Sequence, residues 1–538
     1  MDSKNKKLNR RIIFTLFAIV FLGTILRLAY LSKSPPSLNW DEASLGYNAY
    51  SLLTTGSDEY GFKFPITFRS FDDYKPPLYP YITVPFIAIF GLNEFAVRLP
   101  SAIAGISIII AIYLITSFYF GKYVALLSAF FIAIEPWAVH FSRVAFETNL
   151  GLSFLLWSIF FAITSFNNYK RLIISIFLLF LSSYTYHSYR ILLIPILASY
   201  ILINKNIFQL KKHFFFLTAF ILIFVTPLIF IMKSGGFARL ESTSILRIVD
   251  FSKSESPMQS IYLSYTLFKN IIGRYFAYFS PANLFIRGSN EPNQQIPGFG
   301  IFYPIEFLFF IIGAYYLIKS KIRINYLLFA LLLSPVPAII TWNWFTPSRT
   351  LITFCIFSII IGFGAYNLLI HISRQKIILK TGLLIMFSVI LLSGLGKLVT
   401  TYLFYIPYVE KGNWQFGFRE IMKVVSPIQD NYDQIIFETG QAQPHIFTLF
   451  YGKYPPVRYH KDLGSPNAVE KPRKNFNFGK YNFRRIYWPD DRNSKNILFI
   501  GSEYSLPIQD VASASNAKII SDVYDSQGDF VARIVETR

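Results

Sequence analysis

The chain has one cysteine, six histidines and five methionines in 538 residues, and only 15% of its residues are charged. A lone thiol, Cys355, inside an apolar run excludes both a disulfide framework and a cysteine-based zinc site. So little charge beside 53% hydrophobic residues excludes every ordinary soluble class and points to a polytopic membrane protein. Acid is the scarcer sign, with 30 Asp and Glu against 51 Lys and Arg. No internal repeat or low-complexity tract stands out. A net charge of +21 would suggest nucleic acid in a soluble protein, but its placement here argues against such a partner.

Apolar runs of a length that can cross a bilayer of roughly 30 Å, or close to it, fall near 12–31, 98–119, 123–140, 146–165, 172–187, 190–204, 214–232, 302–318, 325–341, 349–370 and 379–397. The expected fold is therefore a polytopic α-helical membrane protein of about eleven spans. The first run follows Lys4, Lys6, Lys7, Arg10 and Arg11, exceeds a signal-peptide core and lacks a small-residue cleavage site. It is expected to stay as an anchor with its N-terminus in the cytoplasm of a plasma membrane. Leu78–Leu92 is short and carries Pro80 and Pro85. If it does not span, the connections bearing Lys122, Lys170-Arg171, Lys205 to Lys212, Lys319 to Arg323 and Arg374 to Lys380 all share the basic N-terminal side. Positive-inside bias favours that arrangement, and most of the excess positive charge becomes orientation charge.

Polar and aromatic residues collect on the opposite face. The first outer loop, 32–97 with juxtamembrane helices, holds Asp41-Glu42 and Asp72-Asp73-Tyr74-Lys75-Pro76-Pro77. A long outer loop, 233–301, contains an amphipathic stretch at 257–279 and then a segment rich in Pro, Gly and Asn, which reads as an ordered binding loop. From Thr400 the composition changes. Gln434–Glu438, Asn496–Ile500 and Lys518–Val523 read as buried strands and Phe416–Val425 as helix, predicting a small extracytoplasmic α/β domain over 400–538 behind a transmembrane catalytic domain over 1–399.

Acidic residues beside a membrane span are costly without a task. An Asp before the helix-like run Ala43–Leu53 ordinarily caps it, but a second acidic cluster and a proline-stiffened Lys75 in the same loop favour a general base facing a cation. Arg143, Arg190 and Arg349 sit at outer span ends, where one alone is an interface anchor and several together can fork onto a phosphate. Tyr47, Tyr74, His187 and Trp342 are the expected walls of the cavity. His140 and His187 with Asp41 or Glu147 are candidate ligands of a divalent cation, but no fixed-spacing motif supports them, and a histidine bonded to a backbone carbonyl is the simpler reading.

In order and placement, Asp41-Glu42, Asp73-Tyr74-Lys75-Pro76-Pro77-Leu78, Arg98-Leu99-Pro100-Ser101-Ala102, Ser142-Arg143 with Glu147, and Asn413-Trp414-Gln415-Phe416-Gly417-Phe418-Arg419-Glu420 resemble the GT-C membrane glycosyltransferases. The resemblance is in particular to the protein O-mannosyltransferase and aminoarabinose-transferase superfamily, glycosyltransferase family 39 and its relatives. It implies a polyprenyl-phosphate sugar as donor, an acceptor on protein, glycolipid or wall polymer, and transfer on the non-cytoplasmic face. It implies Asp41 of the catalytic acidic pair Asp41-Glu42 as base, Asp73 or Asp72 as the second acidic residue, and Lys75 on the lipid phosphate. Because a leaving phosphodiester already carries charge, positioned cations can serve without a metal, and a divalent cation is not required. Two other classes compete: a transporter or flippase of lipid-linked sugar, which would show paired repeats and charges deep in the spans, and a non-catalytic envelope subunit.

Overall fold

The computed structural model of the protein describes residues 2–71, 73–166, 168–203, 211–231, 243–249, 256–320, 324–440, 443–464, 477–525 and 527–538. Each apolar run forms helix among these residues: Asp2–Leu28, Glu94–Phe120, Lys122–Ile134 followed by Pro136–Arg143, Glu147–Ile163, Tyr169–Thr185, His187–Ile203, Lys211–Ile231, Glu306–Ser320, Ile324–Leu333, Leu351–Ser373 and Ile377–Thr400. Among the described residues four helices are individually long and apolar enough to cross a membrane, or five if one bent pair counts as a single span. The chain is a multi-pass membrane protein. It divides into two compact units, one made of Met1–Ala29, Asp73–Leu78 and Ser101–Thr401, the other of Tyr30–Asp72, Tyr79–Pro100 and Tyr402–Arg538.

The first unit is built around Leu351–Ser373, the most deeply buried of the long helices. Glycine lets its neighbours approach backbone to backbone. A Cβ on Gly364 would run into the Phe309 carbonyl, one on Gly313 into the Ile360 carbonyl, and one on Gly362 into Ser128. Without a hydrophobic force between helices in lipid, such close approach is what packs them.

The run read as a span at 123–140 is instead broken. Pro136 has no N–H to continue the ladder, and the two helical pieces meet at 55°. The break frees carbonyls at the end of Lys122–Ile134, and inside a membrane those must find partners in the protein. Arg27, fully buried in the first helix, supplies them: its Nη1 donates to Ala133 O at 2.9 Å, its Nη2 to Ile132 O at 2.9 Å, and its Nε to Ser142 Oγ at 3.2 Å. Glu135 at the corner takes the Trp137 indole N–H at 2.8 Å and the Ser358 hydroxyl at 2.6 Å, tying the bend to the central helix.

The second unit contains a five-stranded mixed sheet in the order Tyr481–Phe483, Gln434–Phe437, Ile497–Gly501, Phe530–Thr537, Ala517–Tyr524. The first three strands are parallel and the last two join antiparallel. Ile436, Phe499 and Val535 share a core with Ile486, Trp488, Leu506 and Val511. Helices Pro444–Tyr451 and Pro456–Leu463 pack against Trp40–Thr55, the helix that opens the first outer loop.

Arg27→Ala leaves the freed carbonyls of the broken helix buried and unpaired, so detergent-solubilised protein is expected to lose at least ~3 kcal/mol of unfolding free energy, or several degrees in Tm. An unchanged melting curve would show that the bend is held by something else.

Candidate functional site

Helix Trp40–Thr55 starts on a capping box. Asn39 Oδ1 accepts from Glu42 N at 2.9 Å, and Glu42 Oε2 accepts from Asn39 N at 3.1 Å. The cap is thus Asn39, and Asp41 does not cap the helix. Glu42 is 1% exposed and forked onto Arg98, which is itself fully buried, with Nε to Oε1 at 2.9 Å and Nη2 to Oε2 at 3.1 Å. The remaining guanidinium N–H groups go to the carbonyls of Leu31, Pro35 and Ser37. All five Arg98 donors are in use. One residue before Glu42, Asp41 lies half-buried in the first turn of the same helix.

Tyr47 does not line a cavity. It is fully buried, its hydroxyl donates to Tyr454 O at 2.9 Å, and its ring meets the edge of Tyr459, both partners belonging to the second unit as Tyr47 does. Asp58, in the loop after this helix, accepts the backbone N–H of Tyr60 at 3.0 Å and of Phe62 at 2.9 Å. Burial nevertheless pushes its carboxyl up from 3.8 to about 6, the three backbone hydrogen bonds only partly offsetting the loss of water. The Asp58 carbonyl accepts from His460 Nε2 at 2.7 Å, and burial holds that imidazole below its ordinary value.

In the first unit, Lys75 ends the short strand Asp73–Lys75 and is buried. The strand is clamped at Tyr74, whose carbonyl lies 3.0 Å from His187 Nε2, while Arg190 Nη1 lies 3.0 Å from His187 Nδ1. A guanidinium can only donate, so Nδ1 is the acceptor and Nε2 carries the proton given to Tyr74. Arg190 Nε is in turn held by Ser183 O at 3.0 Å. The structure thus brings Tyr74, His187 and Arg190 together, with Lys75 next in the strand, and it makes His187 a positioning group with a neutral ring. Arg143, 3% exposed, donates to Leu26 O at 2.7 Å. Arg349 closes the turn Pro347–Arg349, and its Nη1 is buried with no hydrogen-bond partner among the described residues. Trp342 is 53% exposed, and its carbonyl takes Arg274 Nη1 at 2.7 Å. It is a surface ring rather than an enclosed wall. Asp72 and the Asp73 side chain lie outside the described residues. His140 Nε2 meets the Asn293 carbonyl at 2.9 Å, the simple role expected of it. Among the described residues no group of three or more His, Cys, Asp or Glu side chains is placed to hold a metal ion.

A cavity of about 660 Å³ lies wholly within the first unit, walled by residues such as Ile112, Leu156, Leu192, Tyr200, Ile356 and Ile359. Its lining is mainly aliphatic and aromatic, with few polar groups. Sequence reading did not place it, since its walls are drawn from several separate apolar runs. Arg98 was legible only as part of a motif.

Residues 74–231 match the family model described as dolichyl-phosphate-mannose-protein mannosyltransferase. No curated protein matches the chain. Among solved structures the chain is similar to ArnT from Cupriavidus metallidurans. The apo form shares 11% identity at a TM-score of 0.50, covering 97% of both chains. The form bound to undecaprenyl phosphate shares 11% identity at 0.50, covering 98% of both. The Archaeoglobus fulgidus oligosaccharyltransferase is matched at 11% identity and a TM-score of 0.45, over 97% of this chain and 74% of that one. The expected likeness to GT-C membrane glycosyltransferases is borne out, and the fold is theirs.

Arg98→Lys keeps the charge but loses the fork, and breaking a buried pair of this kind is expected to cost about 3–5 kcal/mol, read as a lowered Tm of the purified protein. For Asp58 the folded pKa lies above the unfolded one, so its contribution to stability is full below 3.8, falls as pH rises to about 6 and is flat beyond. Asp58→Asn keeps the acceptor oxygen and removes this slope. Relative to the parent it should gain up to ~3 kcal/mol between pH 4 and 6. His460 titrates with the opposite sign in both proteins and cancels in the difference.

Proposed function

We propose that the chain transfers a sugar from a polyprenyl-phosphate carrier to a hydroxyl or amine of an acceptor protein, glycolipid or wall polymer, on the non-cytoplasmic face of the plasma membrane. In this reading about eleven spans form a catalytic domain over 1–399, the N-terminus is cytoplasmic, and residues 400–538 form an α/β domain on the outer side. The observation that carries the reading is the fixing of Lys75: a buried lysine on a strand whose neighbour Tyr74 is held by His187, itself set by Arg190. A cation positioned in this way suits a leaving phosphate, because it needs no reorganisation as charge develops. The fold supports the same reading, since the ArnT structure that it resembles holds undecaprenyl phosphate. The apolar cavity has the chemistry an isoprenoid chain requires.

The reaction is a single displacement. Asp41 takes the proton of the acceptor as its oxygen or nitrogen attacks the anomeric carbon; the bond to the phosphate oxygen breaks, and the polyprenyl phosphate leaves with its charge met by Lys75 and by Arg143, Arg190 or Arg349. The anomeric centre inverts. The base is assigned to Asp41 rather than Glu42 because both Glu42 oxygens are spent on Arg98 and Asn39. The second acidic residue of the loop, Asp73 or Asp72, supports the acceptor side.

With the full-length protein in nanodiscs and a labelled prenyl-phosphate sugar, Asp41→Asn is expected to lower kcat by roughly 10²–10⁴-fold while the Tm stays unchanged. Turnover of that variant at the parental rate would remove Asp41 as the base. Lys75→Ala is expected to act on donor use, with KM for the donor raised at least about tenfold and KM for the acceptor unmoved.

A further inference from the structure

The long outer loop and the loop before the central helix build a polar cluster that the proposed reaction has not used. Glu291 is its organiser. One carboxylate oxygen accepts from the Asn343 amide N–H₂ and from Thr346 Oγ1 at 3.2 Å, and the other from Gln294 Nε2 at 2.6 Å. Gln294 Oε1 then accepts from Ser348 N at 3.1 Å, so both ends of that amide are fixed. The carboxylate also fixes the sense of Asn343. Turning this amide over would set oxygen against oxygen, so Nδ2 faces Glu291 and Oδ1 must face away.

Facing away, Asn343 Oδ1 is buried with no hydrogen-bond partner among the described residues, and so is Asn293 Oδ1. The Asn293 backbone is held separately, through His140. A buried acceptor left unpaired costs about 1–3 kcal/mol, and two in one loop cluster, one of them oriented by a dedicated carboxylate, call for donors supplied by something bound. A neutral hydroxyl can satisfy them, since both are amide oxygens that only accept. The same Ser348 N that bonds Gln294 belongs to the turn carrying Arg349, whose Nη1 is also unpaired. In a polyprenyl-phosphate sugar the ring is bonded directly to the phosphate, so hydroxyl acceptors are needed next to the phosphate-binding cation.

We infer that Asn293 and Asn343, the latter oriented by Glu291, form a hydroxyl-recognising subsite for the sugar ring of the donor, beside Arg349 on its phosphate. This rests on the proposed use of a lipid-phosphate sugar. Asn293 and Asn343 touch the ring and set sugar specificity; Glu291 is a positioning residue.

The test uses the full-length protein in nanodiscs with two kinds of probe: a short-chain prenyl phosphate, and its mannosyl and glucosyl esters. Asn293→Ala, which spares the backbone bond to His140, and Asn343→Ser are expected to bind the bare prenyl phosphate as the parent does. Each should bind the better of the two sugar esters about tenfold more weakly, the worth of one lost hydrogen bond to a buried acceptor. Glu291→Gln is expected to narrow the parent's preference between the two esters. Arg349→Ala should weaken binding of bare phosphate and esters alike. If the parent binds the bare prenyl phosphate but both Asn variants bind the esters normally, the subsite is overturned and the transferase reading stands. Equal weakening for bare phosphate and esters in the Asn variants overturns it too, as a structural effect. A parent that binds no prenyl phosphate of either kind overturns both.

Discussion

Five N–H groups of one arginine hold the start of the first outer loop together. Arg98 cannot lose its proton, and buried without partners it would be among the most expensive groups in the chain. Its donors meet three carbonyls between Leu31 and Ser37 and both oxygens of Glu42. The ion pair is therefore not a source of stability to be added to burial; it is the condition under which this chain segment can be buried at all. A second consequence concerns the acidic pair. Adjacent carboxylates on a helix point about 100° apart, so fixing Glu42 toward Arg98 also fixes where its neighbour stands. Asp41 inherits its position from an interaction in which it has no need to take part.

The first unit solves the same problem with different groups. A span broken at Glu135-Pro136 exposes carbonyls, and Arg27 covers them while Glu135 secures the corner to Ser358. Glycines at 313, 362 and 364 then bring the central helix against its neighbours at backbone distance. Irregular backbone at membrane depth is tolerable where protein, not lipid, answers every polar group. The rigidity of the bend follows, because each partner comes from a different helix.

Periodicity and length located the helices, and β-branched runs located three of the five strands: Gln434–Phe437, Ile497–Gly501 and Ala517–Tyr524. Tyr481–Phe483 is too short to show a period, and Phe530–Thr537 carries Arg533, whose burial depends on Asp522 in the neighbouring strand. Which of Asp41 and Glu42 is spoken for could not be read, since Arg98 lies 56 residues away from Glu42 and nothing local marks the pairing. Tyr47 was misread for a related reason: a tyrosine near an active loop and a tyrosine sealed in a core look alike until Tyr454 is seen to take its hydroxyl. The division of the first outer loop between two units, with Asp73–Leu78 in one and Tyr30–Asp72 in the other, has no signature in composition. Lys75 stands out in sequence because of Pro76 and Pro77, whereas His187, which sets the strand, is 113 residues away from Tyr74.

The chain is poor in acid, and two of its carboxylates are spent in the same way. Glu42 is covered by a guanidinium and Glu291 by two amides and a hydroxyl. In both cases the charge orients a donor, and the field of the carboxylate is largely answered at its source. That matters most at Glu291. A bare carboxylate beside an anionic phosphate would repel it, at a Coulomb cost of about 4 kcal/mol at 4 Å and an effective dielectric of 20. Relaying its orienting power through Asn343 presents a neutral oxygen instead, one that accepts a hydroxyl without adding negative charge. An amide carried by a quenched carboxylate is the arrangement that lets one pocket grip a polyol and tolerate the anion bonded to it.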